Sequence, residues 1–234
     1  MRKLSLIALA LALVIACSPS GSATPPAAAQ SADAPAPALA QSQVARNFDD
    51  DPANAPPPGF LFARTGGGPL GQWLVRAESG APSGAHVLAQ LDTDATNNRF
   101  ALAVLDAPSV RDVRVGVRCK PVSGRVDQAC GLVARYRDEN NYFLTRANAL
   151  ENNIGLYVVQ NGRRRQIANW RGTIAGNVWH SLQLDVQGDR MQVAWDGQRV
   201  IDHRDRTFAD AGRVGLWTKA DSVTYFDDLS VSPL

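Results

Sequence analysis

The 234-residue sequence predicts an all-β fold, a β-sandwich of jelly-roll type built from two antiparallel sheets. Residues 112–119, DVRVGVRC, alternate apolar and polar side chains with the period of a half-buried strand. Hairpin turns are indicated at Asn161-Gly162, Gly188-Asp189 and Asp196-Gly197, because these residues tolerate positive φ. No amphipathic helical window of useful length follows Phe60, and roughly ten or more short strands in about 175 residues favour a sandwich.

The first 16 residues have the pattern of a secretory signal peptide. Arg2 and Lys3 form a positively charged start, and Leu4 to Ala16 form an apolar run that is too short to span a bilayer comfortably. The run ends in VIAC, which resembles the lipobox of bacterial lipoproteins, in which cleavage leaves the cysteine as an acylated N-terminus. An ordinary signal peptide with a chance cysteine is the alternative.

The lipobox resemblance implies lipidation at Cys17. Two or three acyl chains anchor a protein stably where one does not. Because Ser18 rather than an aspartate follows the cysteine, the pattern also resembles an outer-membrane sorting signal. We therefore expect a lipid-anchored protein of the bacterial cell envelope, at the outer membrane, whose contact with the membrane is through the anchor only.

The next segment, residues 17–46, is rich in alanine, proline and serine and has almost no large apolar side chain. Such a composition predicts a disordered tether, and the β-sandwich domain is expected to span residues 47–234. The chain carries 24 basic and 22 acidic side chains, and removing Arg2 and Lys3 leaves 22 basic against 22 acidic. A neutral mature protein argues against nucleic acid as a partner.

Two cysteines remain in the predicted domain, Cys119 and Cys130. The expected compartment is oxidising, the count is even once Cys17 is acylated, and both residues lie at facing ends of strand-like runs. These observations predict a disulfide, which would stabilise the fold by roughly 3 kcal/mol. Two buried free thiols are the alternative.

The order of segments in the second half of the chain resembles a known superfamily. The segments are GLVARYRDENNYFLTRANALENN, LYVVQNGRRR and DRTFADAGRVGLWTKADSVTYFDDLSV, and the resemblance covers most of Val113 to Val231. They resemble the concanavalin A-like lectin/glucanase superfamily, and most of all its laminin-G-like, glycoside-hydrolase-16-like and 3-keto-disaccharide-hydrolase-like (DUF1080) domains. The resemblance implies a concanavalin-like sandwich, in a superfamily that holds lectins, hydrolases and adhesion modules.

Catalysis by glycoside hydrolysis needs two carboxylates that face one sugar bond. The three glutamates are Glu78, Glu139 and Glu151, and an extended strand separates the last two by roughly 20 Å. The Glu-x-Asp-x-Glu strand of the family 16 hydrolases is absent. A glycoside-hydrolase-like enzyme therefore remains only as an alternative, with an acid pair drawn from the aspartates 138, 196, 221, 227 and 228.

A metal site has one candidate ligand, Asp227 on the last predicted strand. Concanavalin-like jelly-roll modules often hold a structural calcium near such a position, so the resemblance suggests calcium here, while no cofactor is required. The alternative is a carboxylate that hydrogen-bonds loop amides while Asp228 meets solvent. The segment DTDATNN from Asp92 lacks the glycine and distal glutamate of an EF-hand loop.

Sugars are recognised by aromatic faces and by planar amide, carboxylate or guanidinium groups. If the strands around residues 131–136 and 141–147 pair, Arg135 and Arg146 are expected side by side, with Tyr142 nearby. Arginines inside a sheet need counter-charges or a ligand. The predicted carbohydrate-binding residues are completed by Asn148, Trp170, Trp217 and Lys219.

The sequence thus favours an envelope-anchored, non-catalytic, glycan-binding β-sandwich whose partner is a glycan or oligosaccharide. Two alternatives stay open: a glycoside-hydrolase-like enzyme acting on oligosaccharides, and a structural or protein-interaction module in which the polar residues form turns and ion pairs. The sequence does not identify a protein partner.

Overall fold

The computed structural model describes residues 43–234. The predicted signal peptide, the lipidation site Cys17 and nearly all of the predicted tether lie outside the described residues. Within residues 43–234, no helix is long and apolar enough to cross a membrane.

The described chain forms strands joined by turns and loops. The strands are β1 (Val44–Arg46), β2 (Phe60–Thr65), β3 (Trp73–Ala77), β4 (His86–Gln90), β5 (Phe100–Leu105), β6 (Val113–Ser123), β7 (Ala129–Asp138), β8 (Asn141–Asn148), β9 (Asn153–Gln160), β10 (Arg163–Arg171), β11 (His180–Gln187), β12 (Arg190–Trp195), β13 (Gln198–Arg204), β14 (Arg213–Lys219) and β15 (Val223–Pro233).

The strands make two antiparallel sheets, so the predicted all-β sandwich is confirmed. Sheet A has the order β13-β12-β11-β6-β15-β4-β3, with β1 paired to β15, and sheet B has the order β10-β9-β8-β7-β14-β5-β2. Strand β1 lies within the segment 17–46 that was predicted to be a tether. Its Val44 pairs with Val231 and its Arg46 with Leu229, so sheet A includes residues before position 47.

The main core lies between the two sheets and follows the alternation of the strands. On β6, Val113, Val115, Val117 and Cys119 are buried, as their alternation predicts. Cys119 forms a disulfide with Cys130, with Cα atoms 6.4 Å apart, which confirms the predicted bridge. Because Cys119 belongs to sheet A and Cys130 to sheet B, the bridge ties the two layers together.

A second apolar cluster covers the other side of sheet B, which we call the B face. Its residues alternate along the strands with those of the main core and are therefore turned away from sheet A. They are Phe100, Leu102, Val104, Ala129, Val133, Tyr136, Tyr142, Leu144, Tyr157, Val159 and Trp217. Five of these residues are aromatic, which makes this outer face of sheet B a candidate binding surface.

Candidate functional site

Aromatic rings from neighbouring strands form the floor of the B face. Trp217 on β14 has no exposed surface and stacks on Phe100 of β5, with ring centroids 5.2 Å apart. Tyr157 on β9 is 4% exposed. Tyr142 on β8 is fully buried, and burial raises the pKa of its hydroxyl to about 12, so it stays protonated beside Thr65 Oγ1 at 2.8 Å.

Two glycines let these rings lie against the sheet. A Cβ atom at Gly131 would approach Trp217 Cε3 to 3.1 Å and the Thr145 carbonyl oxygen to 2.9 Å. A Cβ atom at Gly155 would lie 2.5 Å from Tyr157 Cζ. Any larger residue at either position would therefore displace an aromatic ring from the floor.

The guanidinium of Arg164, on edge strand β10, lies over the aromatic floor. Its Cζ is 4.7 Å from the ring centroids of both Phe100 and Tyr157 and 5.6 Å from that of Trp217. The Arg164 Nη1 atom is buried and has no hydrogen-bond partner among the described residues. Burial lowers the pKa of this group, because charge is costly to keep away from water.

Arg146 lies beside Arg164 and is held at the edge of the face by a polar network. Its Nη2 donates to Glu151 Oε2 at 2.7 Å and its Nη1 to Asn153 Oδ1 at 3.1 Å. The Arg146 side chain is nearly buried, yet its Nε has no acceptor in residues 43–234. The Arg146 Cζ lies 5.7 Å from the Tyr157 ring centroid, so both arginines share one aromatic neighbour.

A buried ion pair stands next to this network. Lys219 Nζ donates to Asp127 Oδ2 at 2.7 Å, and Asn148 Nδ2 donates to Asp127 Oδ1 at 2.8 Å. The Asn148 Oδ1 atom accepts from the backbone N–H groups of Leu150 and Glu151, which shapes the turn that carries Glu151. Burial raises the pKa of Asp127, although its bond to Lys219 opposes that shift.

The structure brings most of the predicted carbohydrate-binding residues to one place. Tyr142, Arg146, Asn148, Trp217 and Lys219 all belong to the B face or its polar edge. Their strands are β8 and β14, which flank β7 in sheet B, and this explains how residues about 70 positions apart in the chain can meet.

Arg135 is not found beside Arg146, contrary to the expectation. It has φ 49°, and residues 134 and 135 of β7 lie opposite the single residue Val214 of β14, which is a β-bulge. Arg146 faces Gly131 instead. The buried Arg135 guanidinium donates to the carbonyl oxygens of residues 111, 188 and 208 and lies 3.4 Å from Asp112 Oδ1, so it serves to hold loops.

Trp170 also lies away from the B face. It pairs with Ile154, a residue of the core between the sheets, and packs partly buried against that core from strand β10. Contrary to the sequence prediction, Trp170 therefore does not lie at the rim of the aromatic floor.

Some residues of the B face were not among those predicted from sequence: Phe100, Asp127, Glu151, Tyr157 and Arg164. The sequence did contain a signal for Tyr157 in the run IGLYVVQ. Gly155 and Tyr157 are two positions apart, so in a strand they point to the same face, and the glycine leaves room for the tyrosine ring. Arg164 follows a hairpin turn and alternates in phase with Gln166, as polar residues do on any solvent-exposed edge strand. The local pattern therefore gave no sign that Arg164 is special. Nothing in the local sequence distinguishes Asp127, because its partner Lys219 is 92 residues away.

Asp127 and Glu151 are the two carboxylates of this cluster. Arg146 and Asn153 hold the pKa of Glu151 below its usual range against the opposing effect of burial, and the Glu151 side chain is 43% exposed. Asp127 has no exposed surface, and both of its oxygens are already hydrogen-bonded. Asp127 therefore cannot reach a sugar oxygen in this arrangement, as an acid or a nucleophile would have to.

At the predicted calcium position, the Asp227 carboxylate is held by backbone groups of the neighbouring residues. Within residues 43–234, no group of three or more His, Cys, Asp and Glu side chains comes together. The buried Asp227 carboxylate accepts hydrogen bonds from the Ser83 and Asp228 backbone N–H groups, at 3.1 and 2.8 Å. Asp227 is thus satisfied by loop amides.

A shallow groove lies on the outer side of sheet A. It has a volume of about 240 Å³, and Gly116, Arg118, Gln183, Asp228 and Ser230 are among its lining residues. It contains no aromatic side chain, so it offers hydrogen-bonding groups without a stacking surface.

No protein-family model matches the sequence, and no curated protein matches it. Among solved structures, the fold is similar to carbohydrate-binding module CBM66 from Bacillus subtilis, with 22% identity and a TM-score of 0.56 over 73% of this chain and 94% of that chain. It is also similar to the exoplasmic/lumenal domain of VIP36 in its Ca2+/Man-bound form, with 11% identity and a TM-score of 0.56 over 82% of this chain and 89% of that chain. Lectin II from Ulex europaeus has 12% identity and a TM-score of 0.56 over 81% of this chain and 97% of that chain.

At these identities the similarity shows the fold alone. The two-sheet β-sandwich that the superfamily resemblance implies is confirmed. The finer likeness to laminin-G-like, glycoside-hydrolase-16-like and DUF1080 domains stays a prediction.

Proposed function

We propose that the protein is a non-catalytic glycan-binding β-sandwich and that the B face, with its polar edge, is the binding surface. One observation carries the proposal. Two buried guanidinium donors on this face, Arg146 Nε and Arg164 Nη1, have no hydrogen-bond acceptor among the described residues. Buried donors without a partner also occur elsewhere in residues 43–234, for example at Arg76 and Arg118, so this pair is distinguished by its place beside an aromatic floor, which favours a ligand that supplies acceptors.

A sugar meets the chemical demands of this surface. Its hydroxyl and ring oxygens accept hydrogen bonds from guanidinium groups, and the partly exposed guanidinium of Arg164, which lies over the buried rings, gives it a planar surface to pack against. Glu151 at the edge is partly exposed and accepts from hydroxyl groups. Carbohydrate binding is also named for two of the structures with a similar fold, the module from Bacillus subtilis and the lectin from Ulex europaeus, which supports the same class of ligand.

A hydrolase of the glycoside-hydrolase type is the second candidate. Asp127 and Glu151 both belong to the cluster, and their pKa values are shifted in opposite directions, as those of an acid and its partner carboxylate often are. The full burial of Asp127 argues against it, and for that reason binding without turnover is proposed.

The predicted signal peptide and lipidation site are the basis for a proposal about where in the cell the protein is located. Acylation at Cys17 would hold the sandwich at the bacterial outer membrane, where extracellular or wall glycans are within reach. Incorporation of a labelled fatty acid into the protein, lost in a Cys17→Ala variant, tests this part independently of binding.

Binding is tested by isothermal titration of the purified protein against a panel of oligosaccharides, with each mixture then analysed for cleavage products. We expect one class of glycan to bind without being cleaved, and to bind at least about tenfold more weakly to Arg164→Ala, a loss of about 1.4 kcal/mol. Arg114→Ala, on the outer side of sheet A, is the matched control and should bind as the wild type does.

Cleavage of the bound sugar would favour the hydrolase. Binding that is lost in Arg118→Ala but kept in Arg164→Ala would move the site to the groove of sheet A. If no oligosaccharide of the panel binds, the proposal is contradicted and a structural or protein-interaction module is favoured.

A further inference from the structure

Around Tyr157 and the polar edge, the charges do not balance, whereas Asp138, Glu139 and Arg213 act on Tyr136. Three cationic side chains, Arg146, Arg164 and Lys219, stand against two carboxylates, Asp127 and Glu151. Lys219 is paired with Asp127 and Arg146 with Glu151, at 2.7 Å in each case. Both carboxylates are thereby taken, and Arg164 is left without an ion pair to any described residue.

The position of Arg164 makes this unpaired charge costly. Its guanidinium is surrounded by the rings of Phe100, Tyr157 and Trp217, and at least one of its nitrogens is shielded from solvent. Contacts with ring faces compensate a buried cation only in part. A buried charge is normally matched by a charge of opposite sign, but Arg164 makes no ion pair within residues 43–234, and the Asp127 carboxylate that acts on it is already paired with Lys219.

The same position prepares Arg164 for an anionic ligand. The flat rings hold the guanidinium in place, so little freedom is lost when it binds. Its fork of N–H donors matches the two oxygens of a carboxylate or a sulfate group. The neighbouring carboxylate of Glu151 is neutralised by Arg146 and is therefore not an obstacle to an anion.

We infer that the glycan bound at the B face carries an anionic group, a uronic acid carboxylate or a sulfate ester, and that Arg164 pairs with it. This inference rests on the proposed glycan-binding function and specifies its ligand class. The neutral part of the sugar contacts the polar edge formed by Arg146, Glu151 and Asn153, and its acidic group lies on the guanidinium of Arg164.

The test compares each acidic oligosaccharide with a neutral partner of the same backbone. Oligogalacturonate, oligomannuronate and a glucuronate-containing oligosaccharide are titrated before and after chemical reduction of their carboxyl groups. A sulfated galactan oligosaccharide and its desulfated form make the second arm, which distinguishes sulfate from carboxylate. The variants are Arg164→Gln and, as a control with the same charge change, Arg163→Gln, whose exposed side chain is the neighbour of Arg164 on β10.

In the wild type we expect the best acidic ligand to bind at least about tenfold more tightly than its neutral partner, as one charge-assisted pair would produce. In Arg164→Gln the ratio of the two affinities should fall to near one, whereas Arg163→Gln should keep the wild-type ratio. The preference should also weaken as the salt concentration rises.

Two results would overturn the inference in distinguishable ways. If neutral oligosaccharides bind the wild type as tightly as acidic ones and both kinds bind more weakly to Arg164→Gln, the anionic preference is wrong while the glycan-binding site stands. If neither the acidic nor the neutral members of any pair bind, the proposed function and the inference fail together.

Discussion

Lys219 Nζ lies 2.7 Å from Asp127 Oδ2, and the Asp127 side chain has no exposed surface. The two residues are 92 positions apart in the chain, and Asn148 completes the hydrogen bonding of the carboxylate. This pair fixes the polar edge of the B face, because Asn148 also holds the turn that presents Glu151.

Breaking the buried pair should cost much more than breaking an exposed one. We expect Asp127→Ala to lower the free energy of unfolding by about 3–5 kcal/mol, because it leaves the Lys219 charge buried without a partner. Asp210→Ala, which breaks the exposed pair with Arg137, should cost at most about 1 kcal/mol. Urea denaturation measures both, and equal losses in the two variants would mean that Lys219 finds water or another partner.

The disulfide between Cys119 and Cys130 should contribute measurably to stability. It closes a loop with a sequence separation of 11 residues, for which the chain-entropy model predicts about 3 kcal/mol. The double variant Cys119→Ala/Cys130→Ala should therefore melt roughly 6–12 °C below the wild type. A thiol assay of the unfolded, unreduced wild type should detect neither cysteine, and two reactive thiols there would contradict the bridge.

Acid should destabilise the protein through Asp221. Its carboxylate accepts backbone N–H bonds from residues 125, 126 and 127, which together hold its pKa below the unfolded value of 3.8 despite burial. A depressed carboxyl pKa stabilises the fold above the unfolded pKa, and that stabilisation is lost as the pH falls through the folded pKa.

An Asp221→Asn variant isolates this effect. We expect it to be less stable than the wild type by about 1–3 kcal/mol at neutral pH, because hydrogen bonds to a charged acceptor are lost. The difference should shrink as the pH falls from 3.8 through the lower folded pKa, where the folded wild type also loses its charge. Denaturation curves at a series of pH values measure it, and a difference that stays constant down to about pH 2 would exclude the carboxylate as the cause.

The B face shows how far alternation along single strands can predict a site. Alternation placed Tyr142 and Arg146 on one face of β8, and the structure has both residues at the B face or its edge. Alternation failed at Arg135, since one extra residue in β7 reverses the direction of the side chains beyond it, and a bulge leaves no reliable local signal.

Arg164 and Asp127 were beyond sequence reasoning for a different reason. Their roles depend on which strands become neighbours: β10 is placed at the edge of sheet B, and the loop before β7 is placed against the end of β14. These long-range pairings are properties of the whole sandwich and cannot be read from the residues around either position.

Removal of calcium should leave the protein unchanged. The Asp227 carboxylate is satisfied by the Ser83 and Asp228 amides, so it has no need of a metal ion. We expect the same melting temperature after treatment with a chelator and after addition of millimolar calcium. A rise on adding calcium that disappears in Asp227→Asn would contradict this expectation and support a structural calcium.

Gly155→Ala should weaken ligand binding without unfolding the protein. The added methyl carbon would lie only 2.5 Å from Tyr157 Cζ, so the tyrosine ring must move off the sheet. Both Arg146 and Arg164 would then lose an aromatic neighbour. We expect roughly a tenfold loss of affinity for the glycan, with about 1–3 kcal/mol of lost stability from overpacking.

Gly116→Ala is the matched control for this change. Gly116 lies on the outer side of sheet A, where a Cβ atom would meet only Ser230 Oγ, at 3.0 Å, and would partly fill the groove there. Titration of both variants with the same glycan distinguishes the two surfaces. Loss of binding in Gly155→Ala alone places the glycan on the B face, because only there does the aromatic ring hold the arginines in position. Loss in Gly116→Ala alone would assign binding to sheet A and leave the unpaired donors of Arg146 and Arg164 to be explained by water.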